Sequence, residues 1–333
     1  MKNNYYCLIL AGGIGSRLWP SSSSERPKQF LDVMGTGETM LQTTFNRYSR
    51  LIDRQNIFVT TAVQYAALVA EQLPELPPEN ILLEDARRNT TTSVSVALQC
   101  IVGRNPEACV VVSPSDQKID ERGEAFGSDI AVGLDYVATH KRLLALGVTP
   151  TSPDTNYGYI QMKDERLESA DIFRVKSFSE KPALEYARMF LESGEFLWNT
   201  GLFIFNARTF MAEVEQIKDE NYSLLPQYSL EHVLLERAIN MDVLRCHFGW
   251  ADVGSWTQLY NLRSQQADDN VVLSGSSMMY GCNGCIVKCP EGKLIVAQDL
   301  QDYAIIADNG VLMICKKDDQ QSIRKFVNDY SLL

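Results

Sequence analysis

Cations, carboxylates and amides recur in this chain where short apolar runs end. The cations are Arg17, Lys28 and Lys181, the carboxylates Asp116 and Asp252, and the amides Asn89, Asn156 and Asn199. Transfer of a phosphoryl or nucleotidyl group asks for this mixture. Arg and Lys neutralise phosphate oxygens, one or two carboxylates hold a Mg²⁺, and no covalent nucleophile is needed. A Ser-His-Asp hydrolase is poorly supported, because the chain has only His140, His232 and His247 and no Gly-x-Ser-x-Gly elbow.

The run Leu8-Ile9-Leu10-Ala11-Gly12-Gly13-Ile14-Gly15-Ser16-Arg17 is an apolar strand feeding a glycine-rich loop that ends in a cation. Without Cβ atoms the backbone can close on a ligand and turn its N–H groups inward, which is how a phosphate is cradled. The P-loop pattern fails for want of a Lys after the glycines, and the dinucleotide fingerprint fails because Leu18 stands where its third glycine belongs. A plain glycine turn is the competing reading, weakened by Arg17 and by Glu25-Arg26-Pro27-Lys28-Gln29-Phe30 close behind. Singly, Asp116 and Asp252 could open turns, Lys181-Pro182 could precede a helix, and Trp198 and Trp256 could be core. The constellation outweighs its members.

These residues need a frame, and the first 150 residues alternate β and α. Apolar runs at Asn56–Thr60, Asn80–Leu83, Cys109–Val112 and Leu143–Val148 read as strands. Helical patterns occupy Leu41–Leu51, Ala62–Leu73, the stretch after the polar loop Glu84–Thr90 to about Val102, and Gly127–Thr139. Cys109-Val110-Val111-Val112 has no alternation, as expected of a strand covered on both faces, and delivers Ser113-Pro114-Ser115-Asp116 to the carboxyl edge where open α/β sheets bind ligands. The pattern predicts a doubly wound, mostly parallel sheet. From about Gln265 the texture changes to short β segments separated by Gly, Asn and Asp, ending in a polar helix from Gln320. We expect a domain over 1–264 and a small β-rich C-terminal piece over 265–333.

Composition narrows the classes further. The chain of 333 residues is 45% hydrophobic and 22% charged, with a net charge of -11. That acidity argues against broad nucleic-acid or anionic-membrane binding, so an anionic substrate must be held by local cations. No stretch approaches the length of a membrane helix, and the N-terminus lacks signal-peptide architecture, from which we expect a cytoplasmic protein. The eight cysteines sit mostly in apolar runs and read as buried thiols. Cys282, Cys285 and Cys289 are closely spaced, but a metal site would need a fourth ligand for which His247 and Cys315 are only loose candidates.

Leu10-Ala11-Gly12-Gly13-Ile14-Gly15-Ser16-Arg17-Leu18-Trp19-Pro20 with Arg26-Pro27-Lys28-Gln29-Phe30 resembles the signature of sugar-nucleotide pyrophosphorylases, specifically mannose-1-phosphate guanylyltransferases. Further family-like motifs follow in order: Arg88-Asn89-Thr90, Pro114-Ser115-Asp116, Tyr157-Gly158-Tyr159-Ile160, Phe178-Ser179-Glu180-Lys181-Pro182, Trp198-Asn199-Thr200-Gly201 and Asp252-Val253-Gly254-Ser255-Trp256. The resemblance covers essentially the whole chain. It implies a Rossmann-like nucleotidyltransferase sheet and transfer of GMP from GTP to mannose 1-phosphate.

By the same resemblance, Ala11, Gly12, Gly13, Gly15 and Ser16 wrap the GTP phosphates, and Arg88, Asn89 and Thr90 lie near the base. Arg17 and Lys28 neutralise the phosphates, Asp116 and Asp252 hold Mg²⁺, Lys181 grips the sugar phosphate, and Gly158, Glu180 and Asn199 read the sugar. A homodimer is expected, with the tail as a packing and dimerisation element.

The chain departs from the family in having Gln117 where a histidine is usual, Phe178 for valine, and Thr200 for serine. One activity is expected rather than the two of longer relatives that carry an isomerase half. The same chemistry on another hexose 1-phosphate or nucleotide remains open, as does a non-catalytic relative that binds a sugar nucleotide. Loss of Arg17, Lys28 or either aspartate would have favoured the latter, and all four are present.

Overall fold

The structure is a computed structural model that describes residues 4–13, 15–84, 90–120, 124–167, 171–221, 229–237, 240–266 and 268–330. The chain separates into two compact units that interleave in sequence. Residues 1–12, 45–115 and 119–250 form the first, and 13–44, 116–118 and 251–333 the second. The glycine loop therefore leaves the first unit between Gly12 and Gly13, and the β-rich tail is grouped with that loop.

In chain order the strands up to Asp252 are β1 (Tyr5–Leu10), β2 (Ile57–Ala62), β3 (Ile81–Glu84), β4 (Cys109–Pro114), β5 (Gln117–Ile119), β6 (Leu143–Val148), β7 (Tyr159–Leu167), β8 (Ile172–Ser179), β9 (Phe196–Asn206), β10 (Met241–Cys246) and β11 (Trp250–Asp252). Helices α1 (Met40–Ser49), α2 (Ala66–Gln72), α3 (Thr90–Arg104), α4 (Ala125–Thr139), α5 (Leu184–Ser193) and α6 (Ala207–Asn221) fall between them.

The first unit is built on a nine-stranded sheet of order β3-β2-β1-β4-β9-β6-β10-β8-β7. β1 pairs in parallel with β2 and β4, as β6 does with β10. The doubly wound, mostly parallel sheet expected from the sequence is present as a mixed sheet: β9 runs antiparallel to both β4 and β6, and β8 antiparallel to β10.

Periodicity explains the layers. All six residues of β6 are buried, as is the apolar run of β4, because helices and neighbouring strands cover both faces. In α3 the buried Val94, Ala97, Leu98 and Ile101 follow helical spacing and form one stripe, which packs with Leu8, Val110, Val112, Phe203 and Phe205 in one core. Asp242 at the start of β10 is fully buried, with Arg142 donating to both carboxylate oxygens at 2.6 Å and Tyr136 Oη donating at 2.8 Å. Between α6 and β10 the described residues include a short π-helical stretch, His232–Arg237.

The second unit holds the tail strands β12 (Val271–Ser274), β13 (Ser276–Tyr280), β14 (Ile286–Lys288), β15 (Leu294–Gln298), β16 (Tyr303–Asp308) and β17 (Val311–Lys316), preceded by α7 (Trp256–Arg263) and followed by α8 (Gln320–Tyr330). From β12 to β16 successive strands alternate between two sheets, β12-β14-β16-β17 and β13-β15, so the chain coils as it advances before β17 turns back antiparallel to β16. Its core joins Val271, Ile286, Ala304, Ile306 and Ile323 to Leu18, Trp256 and Leu259. The glycine-loop segment and the tail thus share one apolar interior.

Candidate active site

Two side-chain clusters answer to the residues singled out in the sequence, one in each unit. In the second unit the loop after β1 is shaped from behind. Ser22 Oγ donates to the Gly15 carbonyl at 2.6 Å, and Gln29 Nε2 donates to the Gly13 carbonyl at 2.7 Å. Carbonyl dipoles would repel an anion, and here two of them are occupied by side-chain donors. Gly12 and Gly13 are exposed, with no atom within 4 Å of where a Cβ would stand. Gly15 has φ +63°, and a Cβ there would come within 2.5 Å of the Lys28 side chain, so this position requires glycine twice over.

Lys28 is carried by a short 3-10 turn, Lys28–Phe30, behind Pro27, and is buried. Its ammonium lies 2.8 Å from Asp116 Oδ2 and donates to the Val253 carbonyl at 3.5 Å. Asp116 immediately precedes β5, Asp252 closes β11, and β5 pairs with β11. One small ribbon therefore carries both carboxylates.

Burial pushes the Asp252 carboxyl above the usual carboxylate range; Asp116 adds to the rise, while Lys28, Arg17 and a hydrogen bond from Gln258 oppose it. A Cβ on Gly254 would lie 2.8 Å from Arg17 Nη2 and 2.9 Å from Asp252 Oδ2, so guanidinium and carboxylate both crowd that glycine. Arg17, Lys28, Asp116 and Asp252 are gathered in one place.

In the first unit the residues assigned to the sugar come from three strands: Gly158 just before β7, Glu180 and Lys181 just after β8, and Asn199 within β9. The Asn199 N–H donates to the Gly158 carbonyl at 2.8 Å, and a Cβ on Gly158 would stand 2.7 Å from the Phe178 ring and 2.9 Å from Glu180 Oε2. Lys181 Nζ pairs with Glu180 Oε1 at 2.6 Å, and Lys181 itself has φ +44°, a conformation rarely adopted by a residue with a side chain. Asn199 Oδ1 accepts from the Gly201 N–H at 3.1 Å, which sets the polarity of its amide. Gly158, Glu180, Lys181 and Asn199 are therefore neighbours. The Asn156 amide is folded back on Asp154 Oδ1 at 2.8 Å.

Of the expected base-binding residues, Arg88 and Asn89 lie outside the described residues. Thr90 begins α3, and its hydroxyl accepts from the Leu230 N–H at 2.9 Å. Among the described residues no group of three or more His, Cys, Asp or Glu side chains could hold a metal ion unaided. The thiols of Cys282, Cys285 and Cys289 each donate to backbone carbonyls within the tail.

Three neutral residues of the site were not singled out in the sequence: Ser22, Gln29 and Gln258. Gln258 Nε2 donates to Asp252 Oδ2 at 3.1 Å. Its signal was available, because Ser255-Trp256-Thr257-Gln258 has the capping-box spacing, and Ser255 is the N-cap of α7. The rest of that first turn also reaches outward. Trp256 Nε1 donates to the Trp19 carbonyl at 3.0 Å, and Thr257 Oγ1 donates to the Lys317 carbonyl at 2.6 Å.

A model of the nucleotidyl transferase family matches residues 6–269, a span that includes both clusters. A mannose-1-phosphate guanylyltransferase of Salmonella montevideo is 31% identical over 98% of this chain and 74% of its own length. One from Escherichia coli K12 is 31% identical over 95% of this chain and 73% of its own length. Among solved structures, a protein described as a mannose-1-phosphate geranyltransferase of Thermus thermophilus superposes with a TM-score of 0.85 at 27% identity, covering 98% of this chain and 99% of that one. A UDP-glucose pyrophosphorylase, 14% identical with a TM-score of 0.53, shares the fold. A glycine loop backed by side-chain donors, two cations and two carboxylates thus sit inside a family match that spans most of the sequence, and the chain belongs to the nucleotidyl transferase family, with mannose-1-phosphate guanylyltransferases among its relatives.

Proposed function

We propose that this enzyme transfers GMP from GTP to mannose 1-phosphate, giving GDP-mannose and pyrophosphate. The observation that carries the proposal is the meeting of Arg17, Lys28, Asp116 and Asp252 in one cluster of the second unit. In this reading the backbone from Ala11 to Ser16 holds the triphosphate, and Arg17 and Lys28 neutralise it. A phosphate oxygen of the sugar forms a bond to the α-phosphorus of GTP as the bond to the bridging oxygen breaks, and pyrophosphate departs with that electron pair. Lys181 holds the sugar phosphate, Gly158, Glu180 and Asn199 orient the hexose, and recognition of the base is assigned to Arg88, Asn89 and Thr90.

The donor set fits Mg²⁺. That ion is ordinarily held by one or two carboxylates with substrate phosphates completing its shell, rather than by an all-protein cage. Asp116 and Asp252 supply such a pair, and the ionised form of Asp252 is disfavoured by burial until a cation balances it. When bound, the ion supplies neutralisation of phosphate charge. The chain's own part is to align the attacking oxygen and to offset charge as it builds.

We assign the enzyme to the cytoplasm and to a homodimer. No disulfide joins the described cysteines, as suits a reducing compartment, and no helix among the described residues is long and apolar enough to cross a membrane. For the dimer, the tail carries Met278, Tyr280, Leu294 and Val296 exposed, with Met278 beside Val296 in the β13–β15 register. Contiguous apolar surface of this kind marks an association site.

The deciding assay presents the purified protein with each of four nucleoside triphosphates and several hexose 1-phosphates, and follows pyrophosphate release with and without Mg²⁺. Turnover is expected with GTP and mannose 1-phosphate in the presence of Mg²⁺; its absence would sink the proposal.

A further inference from the structure

Gln258 occupies one corner of a closed ring of hydrogen bonds around the Asp252 turn. Its Oε1 accepts from the Gly254 N–H at 3.0 Å and from Ser255 Oγ at 3.1 Å, and its Nε2 donates to Asp252 Oδ2 at 3.1 Å. Its own N–H donates to Ser255 Oγ at 3.2 Å, which leaves the Ser255 proton directed at Oε1.

The polarity of this amide is not free. A backbone N–H can only donate, so the side facing Gly254 must be oxygen, and the opposite side, facing Asp252, must be the NH₂ group. Flipping the amide would set donor against donor at Gly254 and acceptor against acceptor at Asp252. The carboxylate of Asp252 is therefore met by a donor whose direction is set by the main chain two residues along. Because that donor is neutral, it orients the carboxylate without bringing a positive charge that would compete with a bound cation. Lys28 and Arg17 do bring charge, and Gln258 separates the task of orientation from the task of neutralisation.

We propose that Gln258 is a positioning residue for the divalent cation: it fixes the rotation of the Asp252 carboxylate so that this ligand is already set when the cation arrives. The inference rests on the reading that Asp252 holds that cation. Partners that orient metal ligands typically contribute about 10–100-fold to metal affinity. Without the fixed donor, Asp252 must give up rotational freedom on binding, and the loss falls on the cation rather than on the chemistry.

The test uses the full-length protein and Mn²⁺ alone, followed by the disappearance of the free aqueous Mn²⁺ signal in electron paramagnetic resonance, with no turnover involved. Gln258→Leu, which keeps the bulk but loses every donor and acceptor, is expected to weaken Mn²⁺ binding by about tenfold or more. Gln258→Asn, which withdraws the amide by one methylene, should show the same direction of loss and carries the test if the leucine variant does not fold. Ser255→Ala is the control for simple loss of a helix cap. It should lower the melting temperature while leaving Mn²⁺ affinity within about twofold, because the amide still bridges Gly254 and Asp252.

In steady state, Gln258→Leu should raise the apparent KM for Mg²⁺ far more than it lowers kcat at saturating Mg²⁺. Asp252→Asn separates the two layers of the argument. If it leaves Mn²⁺ binding unchanged, the cation reading itself is wrong. If it abolishes binding while Gln258→Leu and Gln258→Asn bind as tightly as the unaltered chain, the positioning role is overturned and the cation reading stands.

Discussion

The ammonium of Lys28 lies 2.8 Å from the carboxylate of Asp116, and the pair meets in the unit that also holds Arg17 and Asp252. A buried lysine with a carboxylate partner avoids the large penalty of an isolated charge. In the proposed reading, a phosphate oxygen of the substrate takes the place of the carboxylate as the partner of this ammonium.

Removing one member of this cluster should leave binding groups in place and strip charge compensation from the transition state. Arg17→Ala and Asp116→Ala are each expected to cut turnover by about 10²–10³. Initial rates of pyrophosphate release, with circular dichroism to verify folding, decide it; a loss below about fivefold at either position would show that its role is misassigned.

Asp252 is expected to cost the free protein stability. Its native carboxyl is held above the ordinary range, chiefly by burial, so between the unfolded and native pKa values the native state binds the extra proton. Stability therefore falls as pH rises from about 4 through the native pKa. Asp252→Asn should accordingly melt higher than the unaltered protein at pH 7, converge with it below about pH 4, and be inactive throughout. Calorimetric scans across that range check the sign.

Lys288 presents the opposite sign. Its ammonium pairs with Asp308 Oδ2 at 2.6 Å, and Ser21 Oγ donates to the same oxygen at 2.7 Å. Burial raises the Asp308 carboxyl, but these bonds outweigh it and hold the group below its usual range. The contribution is present above the unfolded pKa and lost as pH falls through the native one. Lys288→Met should cost about 1 kcal/mol at pH 7, and denaturant midpoints should show the difference shrinking below about pH 4.

Gly158 offers a test of the sugar side alone. A methyl there meets the Phe178 ring and the Glu180 carboxylate at under 3 Å. Gly158→Ala should raise the KM for mannose 1-phosphate by about tenfold, in keeping with overpacking costs of about 1–3 kcal/mol, and leave the KM for GTP within about twofold.

Part of this was legible in the sequence for a physical reason: Asp116 follows a strand whose pattern is strong, and the glycine loop follows another. Cys109 to Val112 announces a strand covered on both faces, and Asp116 follows it directly. The direction of β9 was not legible, since an apolar run buried on both faces reads alike whether its neighbours run with it or against it. Nor was the interleaving of the two units, which depends on long-range pairs such as Lys28 with Asp116. Gln258, Gln29 and Ser22 escaped notice because they are neutral and act through other residues, and a capping-box spacing explains Gln258 at sequence level without any ligand.

The first turn of α7 has a consequence for modularity. Ser255, Trp256, Thr257 and Gln258 bond in turn to their own helix, to the Trp19 carbonyl, to the Lys317 carbonyl and to Asp252. The tail is therefore no detachable accessory. A minimal catalytic fragment cut before the tail would lose the Thr257 anchor and bare the apolar side of Trp256 and Leu259, so a transplantable version of this site must carry its coil of strands along.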